Sequence, residues 1–300
     1  MNGNAERLRG MLFVMMSSMS WGLSGIIQAF APEGAHPLTV GAVRVVFAGF
    51  FLAGYMFVTG ARILDAFRRT PLVPLAITVT GVMGYQFAFF TAIRLTGVSI
   101  GSMIAIGASP IVAGVLGALF EREPLSGRWA VSTLVAITGC VLLLGGGAAG
   151  SLSVDWTGAA LALLAAFCYA FLGLGMKRLA ARLNTTETAA VTTIASLAVG
   201  VPVIIAFGPS WIFTLRGFAV ASALGVLTEA LPMFLYATGL RMVYLRDAYV
   251  VSLSEPLTAC VLSALLLGER LTPVSLAGAA LILCGVVIIA PSSGREAQVL

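Results

Sequence analysis

The stretch PIVAGVLGALFEREPLS (110–126) returns 146 positions later as PLTACVLSALLLGERLT (256–272), and eight of the seventeen aligned positions are identical. Pro110 meets Pro256, Glu123 meets Glu269 and Leu125 meets Leu271, with Ala113, Val115, Leu116, Ala118 and Leu119 also matched. The same shift pairs Gly139 with Gly285. Apolar sequence inflates chance matches, but a proline and a glutamate that keep their spacing without a gap mark an internal duplication.

Around these landmarks the chain is overwhelmingly apolar. Of its 300 residues 59% are hydrophobic and 10% charged, with a mean hydropathy of +1.04, whereas a soluble domain carries about 25% charged residues. Lipid is the solvent this composition suits. A bilayer core takes about 20 apolar residues per helix, and apolar windows between charged or Gly/Pro punctuation fall at 10–30, 38–59, 71–93, 97–120, 128–148, 156–176, 186–207, 217–240, 246–267 and 273–291. The first window ends in Ala29-Phe30-Ala31, which mimics a signal-peptidase site, but it is longer than a signal core and is read as the first span. The expected fold is all-α and integral to the membrane: ten transmembrane helices as two inverted five-helix repeats, 1–148 and 149–300.

Charge supports that count. With the N-terminus in the cytoplasm, Arg7, Arg9, Arg62, Arg68, Arg69, Arg122, Arg128, Lys177, Arg178, Arg182, Arg241, Arg246 and Arg295 fall inside, and only Arg94, Arg216 and Arg270 outside. This is the asymmetry of the positive-inside rule, and one helix more or fewer would scramble it. Both termini are therefore expected in the cytoplasm of a multi-pass inner-membrane protein. The net charge of +5 is scattered over loops without the runs of a nucleic-acid footprint, so nucleic acid is not an expected partner. Cys140, Cys168, Cys260 and Cys284 all lie in apolar stretches, where a thiol acts as a small hydrophobe, and imply neither disulfide nor metal site.

Five helices is an odd number, so the second copy must enter the membrane upside down. Ser151 and Asn184 should then lie on opposite faces. Inverted repeats that share a central site are the usual frame of alternating access.

The segments Glu255-Pro256, Gly268-Glu269-Arg270-Leu271 and Gly278 through Gly285, with Ser109-Pro110 through Glu121-Arg122-Glu123-Pro124-Leu125 as the companion copy, resemble the EamA-type family of the drug/metabolite transporter superfamily. The first copy departs in reading Phe120-Glu121-Arg122-Glu123 where Gly-Glu-Arg/Lys is usual. The resemblance implies a ten-helix bundle exporting amino acids or related metabolites, with a central cavity lined by the first, third, fourth, sixth, eighth and ninth spans. Within the family the chain looks most like the aromatic amino-acid exporters of the YddG type.

Ionisable groups inside a span cost about 2.5–3.5 kcal/mol each on insertion scales and are functional candidates by default. Three qualify: Arg44, Glu229 and Glu255. In the duplication Glu229 aligns with Met83 and Glu255 with Ser109, so both acids belong to the second copy alone. Glu229 is expected to face the cavity and meet a substrate ammonium or a coupling proton, or else to be a protonated or hydrogen-bonded acid between helices. Pro256 frees the carbonyl of Ser252, which suggests a local structural role for Glu255. Arg44 is expected to snorkel or to pair with an acid.

Trp21, Tyr85, Gln86, Phe89, Tyr169 and Tyr236, with Tyr249, suit a pocket for a small amphipathic solute, since rings supply area and polar tips fix orientation. Trp21, Tyr85 and Tyr169 sit near span centres, away from an interfacial aromatic belt. Core packing explains part of this set equally well. Pro110, Pro202, Pro232 and Pro256 are candidate bends for gates, static kinks being the plainer reading. Recurring glycines, Gly81 and Gly84 or Gly278 and Gly285 among them, mark close helix contacts.

Gly97-Val98-Ser99-Ile100-Gly101 spells a nucleophile-elbow pattern, but it opens a membrane helix in a chain whose sole histidine is His36. No phosphate-binding loop is present and Lys177 is the only lysine, so ATP is not the expected energy source. The expected function is a secondary transporter without cofactors or an evident obligatory protein partner, its partners being a small-molecule substrate and the bilayer. A membrane-embedded enzyme and a passive channel are the alternatives. An enzyme would need a convergent polar catalytic set that this sequence lacks.

Overall fold

A backbone in lipid has to satisfy its own N–H and C=O groups, and the apolar windows do so as helices. The computed structural model describes residues 3–32, 37–146, 155–266, 268 and 271–290. Its elements are α1 (Gly3–Gly22), α2 (Ser24–Ala29), α3 (Pro37–Val58), α4 (Ile63–Arg69), α5 (Leu72–Thr96), α6 (Val98–Glu121), α7 (Gly127–Gly145), α8 (Trp156–Ala180) and α9 (Thr185–Phe207). A 3-10 turn at Ser210–Phe213 leads to α10 (Leu215–Gly225), a π-helical turn at Val226–Ala230 and α11 (Leu231–Leu240). α12 (Leu245–Ser252), α13 (Ser254–Leu266) and α14 (Pro273–Ile289) complete the described chain. His36, Ser151, Glu269, Arg270 and Arg295, used above, lie outside the described residues.

Among the described residues nine helices are long and apolar enough to cross a membrane, counting α1–α2, α10–α11 and α12–α13 each as one. α14 is apolar but shorter, at 17 residues. Three features depart from the sequence expectation. The first span begins at Gly3 and breaks at Leu23, the ninth breaks at Leu253, and the loop after the second span folds into α4, whose last turn carries Arg68 and Arg69 as the helix dipole favours.

Prolines accompany the irregularities of the eighth and ninth spans, but not every proline breaks its helix. Pro110 removes a donor to the carbonyl of Ile106, but Ser109 Oγ donates to that oxygen at 2.8 Å and α6 continues without a break. Pro232 follows the π-turn, where the oxygen five residues back is that of Leu227; Ser20 Oγ of α1 donates to it at 2.5 Å. At Pro256 the residue in the place of Ser109 is Glu255, and the helix ends at Ser252 and restarts at Ser254.

The helices pack as α5 on α8, α11 on α1, α6 on α8, α13 on α1, α3 on α9 and α7 on α14. Glycine permits close crossings: a Cβ on Gly139 of α7 would lie 2.7 Å from the carbonyl oxygen of Gly278 on α14, and one on Gly278 would lie 2.6 Å from that of Gly139.

Charge collects at one end of the bundle. Arg7 pairs with Asp247 at 2.8 Å, Lys177 with Glu123 at 2.8 Å, Arg178 with Glu121 at 2.7 Å and Arg69 with Glu187 at 2.5 Å. Arg241 donates to the carbonyl of Leu183 nearby. At the opposite end Arg216 donates to the carbonyl of Phe30, Thr272 to that of Gly146, and Arg94 lies in the last turn of α5. Arg7, Arg69, Arg178 and Arg241 thus lie at one end of the bundle and Arg94 and Arg216 at the other.

Candidate functional site

A chamber of about 570 Å³ runs into the bundle from the end opposite the ionic cluster, within the range of small-molecule sites. Exposed Gly25, Ala29 and Val98 stand at its mouth. Trp21, Tyr85, Gln86, Phe89 and Tyr169 line it, as do Arg44, Glu229 and Glu255 with Pro256. The six spans implied by the family resemblance all contribute, joined by the second span through Arg44 and the fifth through Leu144.

The rings form a connected wall. Tyr85 and Phe89, one turn apart on α5, stack with centroids 5.1 Å apart and planes 13° from parallel. Tyr85 meets Tyr169 at 5.3 Å, and Trp21 meets Tyr169 edge-on at 5.9 Å. Tyr236 and Tyr249 are fully buried and stand apart from the lining: Tyr236 packs on Trp21 at 5.2 Å, Tyr249 on Tyr169 at 4.8 Å, and the two on each other at 6.3 Å. Tyr249 Oη donates to the carbonyl of Tyr169. This second layer of rings backs the chamber floor.

The three intramembrane charges are arranged unequally. Arg44 Nε lies 3.0 Å from Glu229 Oε2, and Arg44 also donates to Ser24 Oγ at 3.2 Å. Of the two roles weighed for Arg44, the structure has the pairing with an acid. Glu229 is held in the π-turn just before Pro232; such turns recur at functional sites. Glu255 lines the same chamber with no hydrogen-bond or ion-pair partner among the described residues.

Pro110 and Pro202 lie inside α6 and α9, and Pro110 is buried away from the lining beside Ser109. Only Pro256 of the four candidate bends borders the chamber.

Sequence reasoning missed the ionic cluster. Glu123, a landmark of the duplication, is buried and accepts from Lys177 Nζ, from the backbone N–H of Leu245 at 2.7 Å and from that of Arg246 at 3.2 Å. A carboxylate from the first half thereby caps the first turn of α12 in the second. Arg246 sits 3.3 Å from the fully buried Asp247, and Arg7, Lys177 and Arg246 gather over the ring of Tyr244 at 5.9, 5.8 and 4.8 Å. The signal was present in Glu123 and in Tyr244-Leu245-Arg246-Asp247, but the first read as loop and the second as the edge of a span.

A family model described as the EamA-like transporter family matches residues 8–145 and again 156–290. The chain belongs to the EamA-like transporter family. An uncharacterized transporter, YwfM of Bacillus subtilis, is 33% identical over 95% of this chain and 95% of its own length. The threonine/homoserine exporter RhtA of Escherichia coli is 29% identical over 88% of this chain and 85% of its own. A solved crystal structure 20% identical in sequence superposes with a TM-score of 0.80 over 93% of this chain and 95% of that one, a likeness of fold. Membership makes this a multi-pass membrane protein of a transporter family, and these two relatives are named as a transporter and an exporter, not as enzymes.

Proposed function

We propose that the chain is a secondary carrier that exports amino acids or related small metabolites by alternating access, and that the chamber is its substrate site. The observation that carries this reading is a membrane-embedded cavity reaching exposed residues at one end and stopped at the other by two layers, one of rings and one of ion pairs. A channel needs a continuous path, whereas a carrier needs one end shut while the other is open.

The packing pattern supports the inverted repeat. Exchanging each span with its counterpart five spans away turns α5 on α8 into α11 on α1, turns α6 on α8 into α13 on α1, and maps α3 on α9 and α7 on α14 onto themselves. The two family matches, 8–145 and 156–290, support the same division. Under the positive-inside rule the ionic end is cytoplasmic, both termini are cytoplasmic, and the conformation faces outward. An aromatic wall suits solutes of the aromatic amino-acid class, while the exporter name of RhtA favours small hydroxylated amino acids.

The test is counterflow in proteoliposomes with labelled threonine, homoserine and phenylalanine. Saturable uptake accelerated by unlabelled substrate on the far side is the expected result. Linear flux without counterflow, or no flux for a panel that includes all common amino acids, contradicts the reading.

A further inference from the structure

Taking the chamber to be the substrate site, as proposed above, we infer that Glu255 is its ammonium-binding group. The ligand class is an organic ammonium compound with a compact apolar body. Arg44, engaged by Glu229, contributes no comparable carboxylate site.

The inference starts from a count of charge. Arg44, Glu229 and Glu255 line one chamber. Glu229 Oε2 stands 3.0 Å from Arg44 Nε, so those two groups compensate each other. Glu255 is left with no hydrogen bond or ion pair among the described residues, and the cation of the lining whose field reaches it, Arg44, is already engaged by Glu229. An anion at membrane depth calls for a cation, and where the protein supplies none, the ligand or a proton must.

The local backbone explains why this carboxylate is free. In the first copy Ser109 Oγ donates at 2.8 Å to the Ile106 carbonyl that Pro110 leaves open. Glu255 holds the equivalent place before Pro256, and a carboxylate accepts hydrogen bonds but cannot donate them. The helix therefore parts at Leu253, and the side chain is released into the chamber instead of folding back on its own helix. Gly22 completes the arrangement from α1: a Cβ there would lie 2.8 Å from the Glu255 carbonyl oxygen, so only glycine lets α1 rest against this turn.

The surrounding wall fits the rest of such a ligand. Trp21, Tyr85, Phe89 and Tyr169 offer ring faces to an apolar body, and the electron-rich faces add attraction for an ammonium group. The aromatic chamber thus reads one charge, and it reads it in the second copy only.

Three matched probes isolate that charge: 2-phenylethylamine carries ring and ammonium, 3-phenylpropionate ring and carboxylate, and L-phenylalanine all three. Binding to the full-length protein in lipid nanodiscs at pH 7 is measured by calorimetry, without reference to transport. The amine and the amino acid should bind within about threefold of each other and at least about tenfold more tightly than the carboxylate. Glu255→Gln should weaken both ammonium probes at least about tenfold. Glu255→Asp, which keeps the charge, should restore most of the loss and serves if the amide variant does not fold. Preference for 3-phenylpropionate, absence of binding by all three probes, or amine affinity in Glu255→Gln within twofold of wild type overturns the assignment. Binding of the expected rank without counterflow of any substrate would instead sink the carrier reading and leave Glu255 standing.

Discussion

The two prolines that anchor the duplication sit in the same sequence frame and produce opposite structures. Before Pro110 stands a serine whose hydroxyl donates a hydrogen bond to the carbonyl the proline leaves open, and α6 continues unbroken. Before Pro256 stands a glutamate, and the chain parts at Leu253. The same contrast recurs at the other acid: Met83, where Glu229 stands in the second copy, is a buried apolar residue. Duplication supplied a scaffold of paired helices, while single residues on one copy supplied its charge. A carrier needs near-equal frames to exchange its two faces, but its ligand has to be read by groups that need not be symmetric.

The contrast breaks most severely at Arg44. Arg44→Ala leaves Glu229 buried without its counter-charge, a loss of about 3–5 kcal/mol, expected as failure to elute as a single folded species or a large fall in unfolding temperature. Arg44→Ala with Glu229→Leu should recover most of it. A single variant as stable as wild type would show that the pair does not hold the charged copy together. Glu255→Ser gives the second copy the arrangement of the first. Transport should fall at least about tenfold, while the unfolding temperature stays level or rises because the hydroxyl can cap the Ser252 carbonyl. Unchanged transport would mean that the asymmetry is ornamental.

Smaller effects sharpen the comparison. Ser109→Ala removes the cap that keeps α6 whole, and interhelical or capping hydrogen bonds in membranes average about 0.6 kcal/mol with a ceiling near about 1.7; thermal unfolding in detergent should register a loss in that range. Ser20→Ala, which frees the Leu227 carbonyl opened by Pro232, should cost no more than this and is the smallest change expected. A larger loss at Ser20 than at Arg44 would invert the order of importance argued here.

Much of this was legible in the sequence, because lipid imposes rules that soluble proteins escape. Hydropathy windows found the apolar helices to within a few residues at most ends, and the landmarks at Pro110 and Pro256 marked the proline that a helix absorbs and the proline beside which one parts. The lining residues Trp21, Tyr85, Gln86, Phe89 and Tyr169 were named as an aromatic and polar set, three of them near span centres, and are brought together around one chamber. Tyr236 was named with them, but packing places it behind Trp21, a distinction that helix periodicity could not draw. The π-turn that carries Glu229 has no hydropathy signature at all. Nor could charge counting foresee that Arg44 and Glu229, far apart in sequence, neutralise each other while Glu255 goes unpaired. The ionic cluster was hidden for a different reason: Glu123, Arg246 and Asp247 lie at helix ends, where charge is ordinary, and only tertiary packing buries them.

The central proposal, that the two ends of the chamber open in turn, is tested most directly by labelling from both sides. Single cysteines at Ala29, beside the mouth, and at Val243, whose carbonyl accepts from Lys177, are introduced after replacing the four native cysteines. Each is then reacted with a membrane-impermeant maleimide in the presence and absence of Glu123→Gln. The account predicts that Ala29→Cys reacts and Val243→Cys does not while Glu123 is intact, and that Glu123→Gln raises the rate at Val243→Cys as it lowers the rate at Ala29→Cys. Rates that rise together at both ends would describe a pore and contradict it.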